Sequence, residues 1–519
     1  MKRTLEHEVT LAPRLDRLTS GGILARNVVW NLIGQGVPML LAVFAIPLLI
    51  KGLGTDRFGI LTLAWMVLSY FSLFDLGLGR ALTQMIAERV GRGQHNEISP
   101  MVWTSLFLMV ALGLAGSAIM IVVSPFLVYG VIKIPEDLQK ETLDSFYLLA
   151  VSIPIVICTA GFRGVLEAVQ RFGITSTVRV AIGVLTFVGP ILVLPFSKSL
   201  LPMVSVLVVG RILTLVLLVV LCLNFMPMLS YGAAIQGRVV RHVIRSGSWM
   251  TVSNLVSPLM VYLDRFVIGG LISVTAVAYY ATPFEVVTKL LVIPSAVVGV
   301  LFPAFSSMVS HDSHRTADLY YRGVKYVFLV LFPITLIVVG FAKEILIVWL
   351  GVAFAENSFR VMQTLAIGVL VNGIANVPFA LVQGSGRADL TAKLNLLELP
   401  LYLGVVWWLI NSQGIVGAAL AWSLRMAIDA FILLMIAHTL LGRPRYHHRL
   451  RIVIAFVLGT LGFELLIETF SMRLISVVTF LLMYAWVVRT AVIDGQERLF
   501  FKEKLKSFIL WGNPNSTLS

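Results

Sequence analysis

The sequence predicts an all-α integral membrane protein of about fourteen transmembrane helices, arranged as two six-helix lobes with pseudo-twofold symmetry plus two C-terminal helices. Three observations carry that expectation. Of 519 residues, 58% are hydrophobic and only 13% are charged, against roughly 25% charged in an ordinary soluble domain, so polar groups are too few to cover a water-exposed surface. The charges fall in short clusters between apolar stretches of about 18 to 25 residues, the length that crosses a hydrocarbon core about 30 Å thick. Lys and Arg also alternate from loop to loop in the pattern that sets membrane orientation.

The spans are read at 27–50, 58–76, 101–132, 145–163, 179–197, 200–224, 248–271, 278–305, 325–350, 359–383, 394–410, 414–437, 452–470 and 474–489. With the N-terminus taken as cytoplasmic, the inner segments hold 28 Lys and Arg and the outer ones 7. That bias explains most of the formal net charge of +14 and places both termini of a multi-pass membrane protein on the cytoplasmic side. Residues 1–26 carry Lys2, Arg3, Arg14, Arg17 and Arg26 with no isolated apolar core. They read as a cytoplasmic segment rather than a cleavable signal, and residues 490–519 read as a cytoplasmic tail.

Several function classes are excluded by what the chain lacks. There is no G-x-x-x-x-G-K-[ST] phosphate loop, no G-x-S-x-G and no H-E-x-x-H. Cys158 and Cys222 both lie in apolar runs and read as packing residues. His95, His242, His311, His314, His447 and His448 fall in inner loops without ligand spacing, so no metal site is expected. The longest outer connection, Lys133 to Asp144, is too short to hold the periplasmic chemistry of a polymerase or ligase. The chain is therefore not expected to be an enzyme, and neither a nucleic-acid partner nor a cofactor is expected.

The first twelve spans divide into an N-lobe at 27–224 and a C-lobe at 248–437, followed by the pair at 452–489. A faint echo supports the division. Asn31 precedes Ile50-Lys51-Gly52-Leu53, and Asn254 precedes Ile268-Gly269-Gly270-Leu271. Two such lobes place a site at their interface and allow alternating access by rocking. Pro38, Pro47, Pro190, Pro195, Pro258 and Pro294 free backbone carbonyls inside spans, which neighbours or a hydrated cavity must satisfy.

Particular stretches resemble Wzx-type polysaccharide flippases of the multidrug/oligosaccharidyl-lipid/polysaccharide (MOP) exporter superfamily. They are Phe58-Gly59-Ile60 with Phe74 through Thr83, then Arg163 through Phe172, Asp264 through Gly269, Ala278 through Ala281 and Leu301 through Ser306. The resemblance covers most of residues 25–440. It implies a flippase that moves an undecaprenyl-diphosphate-linked oligosaccharide repeat unit from the cytoplasmic to the periplasmic leaflet, for O-antigen, exopolysaccharide or capsule synthesis. Membrane lipids, a polysaccharide polymerase and chain-length machinery are the implied partners. A drug antiporter of the same superfamily and a lipid II flippase are the rivals. The antiporter is disfavoured because spans 1–6 carry no acidic group near mid-membrane.

Embedded charges give the candidate site. A charged side chain at the bilayer centre costs about 2.5–3.5 kcal/mol on insertion scales, so it faces a cavity or a partner. Arg211, Lys289 and Arg425 fall near mid-membrane, Arg265 lies deeper toward the outer face and Arg26 at the inner mouth. These cations suit a diphosphate, while Asn31 and Gln35, one turn apart, suit sugar hydroxyls or interhelical hydrogen bonds. Asp264, Glu285, Asp429 and Glu464 are candidate ion carriers. The alternative is structural pairing: Glu285 with Lys289 and Arg425 with Asp429 are each four residues apart. Asp264 and Arg265 are adjacent and are expected to point apart, one of them toward another helix. Lys343 and Glu344 are expected to snorkel from the outer end of their span.

Overall fold

The computed structural model describes residues 21–73, 78–94, 97–230, 259–308, 313–441, 448–467 and 469–492. Helices account for nearly all of it, with no strand among the described residues, because a backbone in hydrocarbon must satisfy its own hydrogen bonds. In chain order they are α1 (Gly21–Leu53), α2 (Thr55–Leu73), α3 (Leu78–Gly91), α4 (Ile98–Phe126), α5 (Glu136–Ala168), α6 (Phe172–Val193) and α7 (Leu200–Phe225). Then come α8 (259–271), α9 (Val274–Thr288), α10 (Val292–Met308), α11 (Ser313–Leu350), α12 (Val352–Gly384), α13 (Ala388–Leu440), α14 (His448–Leu466) and α15 (Phe470–Val487). Ten continuous helical stretches among the described residues, with Val274–Ser306 and Asp389–Leu440 each taken as one, are long and apolar enough to cross a membrane.

Most expected spans correspond to one helix each, with instructive departures. The span at 278–305 is two helices, α9 and α10, joined by a 3-10 turn at Lys289–Leu291. The spans at 394–410 and 414–437 are two helical segments, taken together as α13, that part at Gly414 with φ +61° and ψ −140°. That left-handed geometry is accessible to glycine at little cost. Beyond the break, a Cβ on Gly417 would lie 2.0 Å from the Leu409 carbonyl oxygen, so the two segments fold back in close contact. Helix α3 is amphipathic and too short to span, and it carries the basic residues that follow the second span. Residues 1–20, 248–258 and 493–519, with Asn254 and Pro258 among them, lie outside the described residues.

The chain forms two compact units, one of residues Met1–Lys289 with Arg387–Arg425 and the other of Leu290–Gly386 with Met426–Ser519. In the first, small residues permit close helix crossings, as expected where lipid supplies no hydrophobic drive between helices. A Cβ on Gly113 of α4 would lie 2.5 Å from the Pro154 Cα of α5, and one on Gly183 of α6 would lie 2.3 Å from Pro38 Cγ of α1. Gly59 of α2 approaches α9 so closely that a Cβ there would sit 2.0 Å from the Val274 carbonyl oxygen. Large apolar side chains stay exposed on outward faces, including Phe107 and Val122 on α4 and Leu213 and Val216 on α7. Such faces are what lipid, rather than water, would cover.

In the second unit α11 and α12 pack along their lengths, with α10 against both and α14 and α15 against α11. Glu344 of α11 bridges Arg473 of α15 at 3.3 Å, and Tyr484 of α15 donates to the Leu329 carbonyl at 2.8 Å. Glu344 is thus paired rather than simply snorkelling, while Lys343 lies 5.8 Å from the Phe359 ring centroid.

Candidate functional site

The embedded charges of α8 and α9 converge in the first unit. Asp264 and Arg265 are both 0% exposed, a costly arrangement unless each charge is paired and hydrogen-bonded. Asp264 Oδ2 accepts from the Tyr280 hydroxyl at 2.5 Å, and its Oδ1 lies 3.4 Å from Arg265 Nη1. The same Nη1 donates to the Val261 carbonyl at 2.6 Å. Adjacent residues expected to point apart therefore touch, because the long arginine stem folds back along its own helix. Asp264 does also find the expected partner on another helix, in Tyr280.

Aromatic rings complete the enclosure. The Arg265 guanidinium carbon lies 4.1 Å from the Phe284 centroid, 5.5 Å from Tyr262 and 5.8 Å from Tyr280, all within cation–π range. From this sealed end the charges run outward. Arg265 Nη2 lies 3.8 Å from Glu285 Oε1, and Glu285 Oε2 lies 3.2 Å from Lys289 Nζ. The Glu285 and Lys289 side chains are 44% and 45% exposed. Two acids and two bases thus alternate from fully buried to half-exposed side chains, with formal charges that cancel.

A second pair stands on α13. Arg425 Nε meets Glu398 Oε2 at 3.3 Å with both side chains under 10% exposed, and the Arg425 guanidinium lies 5.4 Å from the Tyr402 centroid. Phe284 and Trp422 pack edge to face at 5.3 Å, which ties α9 to this part of α13. The bridge of Arg425 reaches back 27 residues to Glu398, beyond any spacing within one helical turn.

The remaining candidates are scattered. Arg211 of α7 is half-buried, beside the exposed Val209, Ile212 and Leu213. Asp429 is half-buried in the second unit. Glu464, also there, is 0% exposed, and neither carboxylate oxygen has a hydrogen-bond partner among the described residues. Arg26, Asn31 and Gln35 lie on α1, where the backbone alone is described. No group of three or more His, Cys, Asp or Glu suited to a metal occurs among the described residues.

Sequence reasoning missed Tyr280, Phe284, Glu398 and Tyr402. Glu398 carried a signal, since it is an acid inside the span at 394–410. Tyr280 stood within a stretch already quoted for its resemblance. The two other rings gave none, because aromatic residues are common in any apolar span.

Helices of this length and composition define the class, a multi-pass α-helical membrane protein. A multidrug resistance MATE family transporter of the MOP superfamily, solved in an inward-facing conformation, superposes with TM-score 0.66 at 14% identity, covering 79% of this chain and 98% of that one. A MOP superfamily transporter from Pyrococcus furiosus superposes with TM-score 0.59 at 15% identity over 80% of this chain and 95% of that one. The family profile described as "Polysaccharide biosynthesis protein" matches residues 24–309. The chain belongs to that family. A Shigella flexneri protein named "Putative O-antigen transporter" is 30% identical over 412 residues, 79% of this chain and 96% of that protein. The Escherichia coli lipopolysaccharide biosynthesis protein WzxC is 20% identical over 427 residues, 80% of this chain and 78% of that one.

Proposed function

We propose that this protein flips an undecaprenyl-diphosphate-linked oligosaccharide repeat unit across the bacterial inner membrane by alternating access, with both termini in the cytoplasm. The observation that carries the reading is the near full-length similarity to a protein named as an O-antigen transporter. The embedded cations give it a chemical basis. Lys289 at the open end of the α8–α9 cluster is the residue best placed to meet a diphosphate, with Arg265 held behind it by Asp264 and Glu285. Arg26, Asn31, Gln35, Arg211 and Arg425 remain candidates for contact with other parts of the substrate.

Movement is proposed to arise from rocking of the lobes at 27–224 and 248–437, with the pair at 452–489 outside them. Coupling to H+ or Na+ is assigned to Asp264, Glu285, Asp429 and Glu464. The transport step itself needs no catalytic residue, and the polymerase and chain-length machinery are the expected downstream partners.

The test is chemical. The gene is deleted in its host, and undecaprenyl-diphosphate-linked oligosaccharides are extracted and analysed by mass spectrometry. The expected result is accumulation of a complete repeat unit, relieved by the wild-type gene and not by Lys289→Ala. Absence of any linked intermediate, with raised sensitivity to cationic toxins, would replace the reading with a small-molecule antiporter.

A further inference from the structure

A cavity of about 580 Å³ lies in the first unit, apart from the candidate site, at the end that the Lys and Arg bias assigns to the outside. Small-molecule sites span roughly 300–1,000 Å³. Three stretches of chain meet there: the start of α2 at Asp56, the α4–α5 connection at 129–136 and the α8–α9 connection at 270–275. Their backbones are stitched together. Lys133 donates its N–H to the Gly269 carbonyl at 2.9 Å and its Nζ to the Leu271 carbonyl at 2.6 Å. The Thr275 hydroxyl donates to Asp56 Oδ1, and Ser273 Oγ caps α9 by accepting from the Ala276 N–H at 3.1 Å. A Cβ on Gly270 would lie 3.0 Å from the Val131 carbonyl oxygen, so two of the stretches approach as bare backbone. The cavity is therefore formed before anything enters it.

Its lining offers both hydrogen-bond donors and acceptors. Helices α2, α5 and α9 each contribute a first-turn residue, Asp56, Glu136 and Val274, and N–H groups in a first turn have no partner within their helix. Beside them stand the carboxylates of Asp56 and Glu136 and the ammonium group of Lys133. An inorganic anion entering here meets two carboxylates. A metal cation meets three helix N-termini and an ammonium group, both repulsive to it. A neutral molecule rich in hydroxyls uses the whole set, because each hydroxyl both donates and accepts. Tyr129 adds an exposed aromatic ring to the wall, a flat apolar surface with a polar tip. It sits in the π-helical turn Leu127–Val131, a rare geometry found frequently at functional sites. Among the described residues, no hydrogen bond or ion pair engages the Tyr129 hydroxyl or the Glu136 carboxylate.

We propose that this cavity binds a neutral saccharide, with the Tyr129 ring against the C–H face of one pyranose and Glu136 accepting from its hydroxyls. Asp56 and Lys133 are already engaged with Thr275 and Leu271, and they hold the walls while adding one charge of each sign. The ligand class follows from the chemistry of the lining. That the sugar is the saccharide end of a lipid-linked substrate, met as it reaches the outer leaflet, rests on the flippase reading. A diphosphate is refused here by the two carboxylates, so on that reading the two ends of the substrate are held at different places.

The experiment uses the full-length protein in nanodiscs. Oligosaccharides released by mild acid from the host's surface polysaccharide are titrated in by saturation-transfer NMR, and calcium chloride and sodium pyrophosphate are titrated separately by calorimetry. The oligosaccharide is expected to bind. Tyr129→Ala should weaken it about two- to tenfold, the weight of one aromatic contact, while Tyr129→Phe, which keeps the ring, stays near wild type. Glu136→Ala should weaken it about tenfold or more, the weight of one hydrogen bond to a charged group. Both side chains are exposed, so the thermal unfolding curves should not move and a lost affinity reports the site itself. An oligosaccharide that does not bind, or that binds both alanine variants as tightly as wild type, overturns the inference. Calcium binding abolished by Glu136→Ala would make the cavity a cation site, and pyrophosphate binding abolished by Lys133→Gln an anion site; either result overturns it as well. The flippase reading fails separately, in the deletion strain, if no linked intermediate accumulates.

Discussion

Asp264→Ala tests the core of the candidate site. It removes the acceptor of the Tyr280 hydroxyl and the carboxylate 3.4 Å from Arg265. The guanidinium that remains is 0% exposed, with Glu285 3.8 Å away as its surviving carboxylate partner. Removing one member of a buried ion pair costs about 3–5 kcal/mol, and orphaning a buried hydroxyl costs about 1–3 kcal/mol more. Glu285 and the three rings around the guanidinium offset part of this, leaving about 3–5 kcal/mol, a large share of the roughly 5–15 kcal/mol that holds a folded protein together. The double variant Asp264→Leu with Arg265→Met removes both charges at similar volume and is expected within about 1–2 kcal/mol of wild type. Thermal unfolding of the purified full-length protein measures both. The level of lipid-linked repeat unit in complemented cells measures transport. The expected pattern is a strongly destabilised single variant and a stable double variant that does not transport. A double variant that is stable and transports normally would show the cluster to be structural. A single variant as stable as wild type would refute the claim that Arg265 depends on Asp264 for its burial.

Three further outcomes are expected. Tyr280→Phe deletes one hydrogen bond to a buried carboxylate and should lower stability by about 1.5–3 kcal/mol, read from the same unfolding curves. Gly59→Ala places a methyl group 2.0 Å from the Val274 carbonyl oxygen, so α2 and α9 must separate; about 1–3 kcal/mol is lost, and disulfide trapping between cysteines placed on α2 and α9 should become slower. Glu464→Gln leaves stability nearly unchanged, because neither oxygen has a hydrogen-bond partner to lose among the described residues. If Glu464 carries the coupled proton, that variant abolishes pH-gradient stimulation of transport in proteoliposomes, and persistence of the stimulation would remove it from the coupling set.

The membrane class, the position of most spans and four of the buried charges, Asp264, Arg265, Arg425 and Glu464, were legible in the sequence alone, whereas Glu398 and Arg473 were not. The reason is that lipid imposes a local rule: about twenty apolar residues per crossing, and a partner or a cavity for every charge within it. Helix-turn spacing also correctly foretold the Glu285–Lys289 bridge. It could not foretell that Arg425 would meet Glu398, that Arg265 would fold back on Asp264 between Tyr262, Tyr280 and Phe284, or that Arg179 would arrive beside Glu167 from the next helix. Those meetings depend on how each helix is rotated and where it crosses its neighbour. Rotation and crossing are set by close approaches such as Gly59 on Val274 and Gly183 on Pro38. A charge's presence in the membrane is written in its own span; its partner is chosen by the packing of two helices that the sequence places far apart.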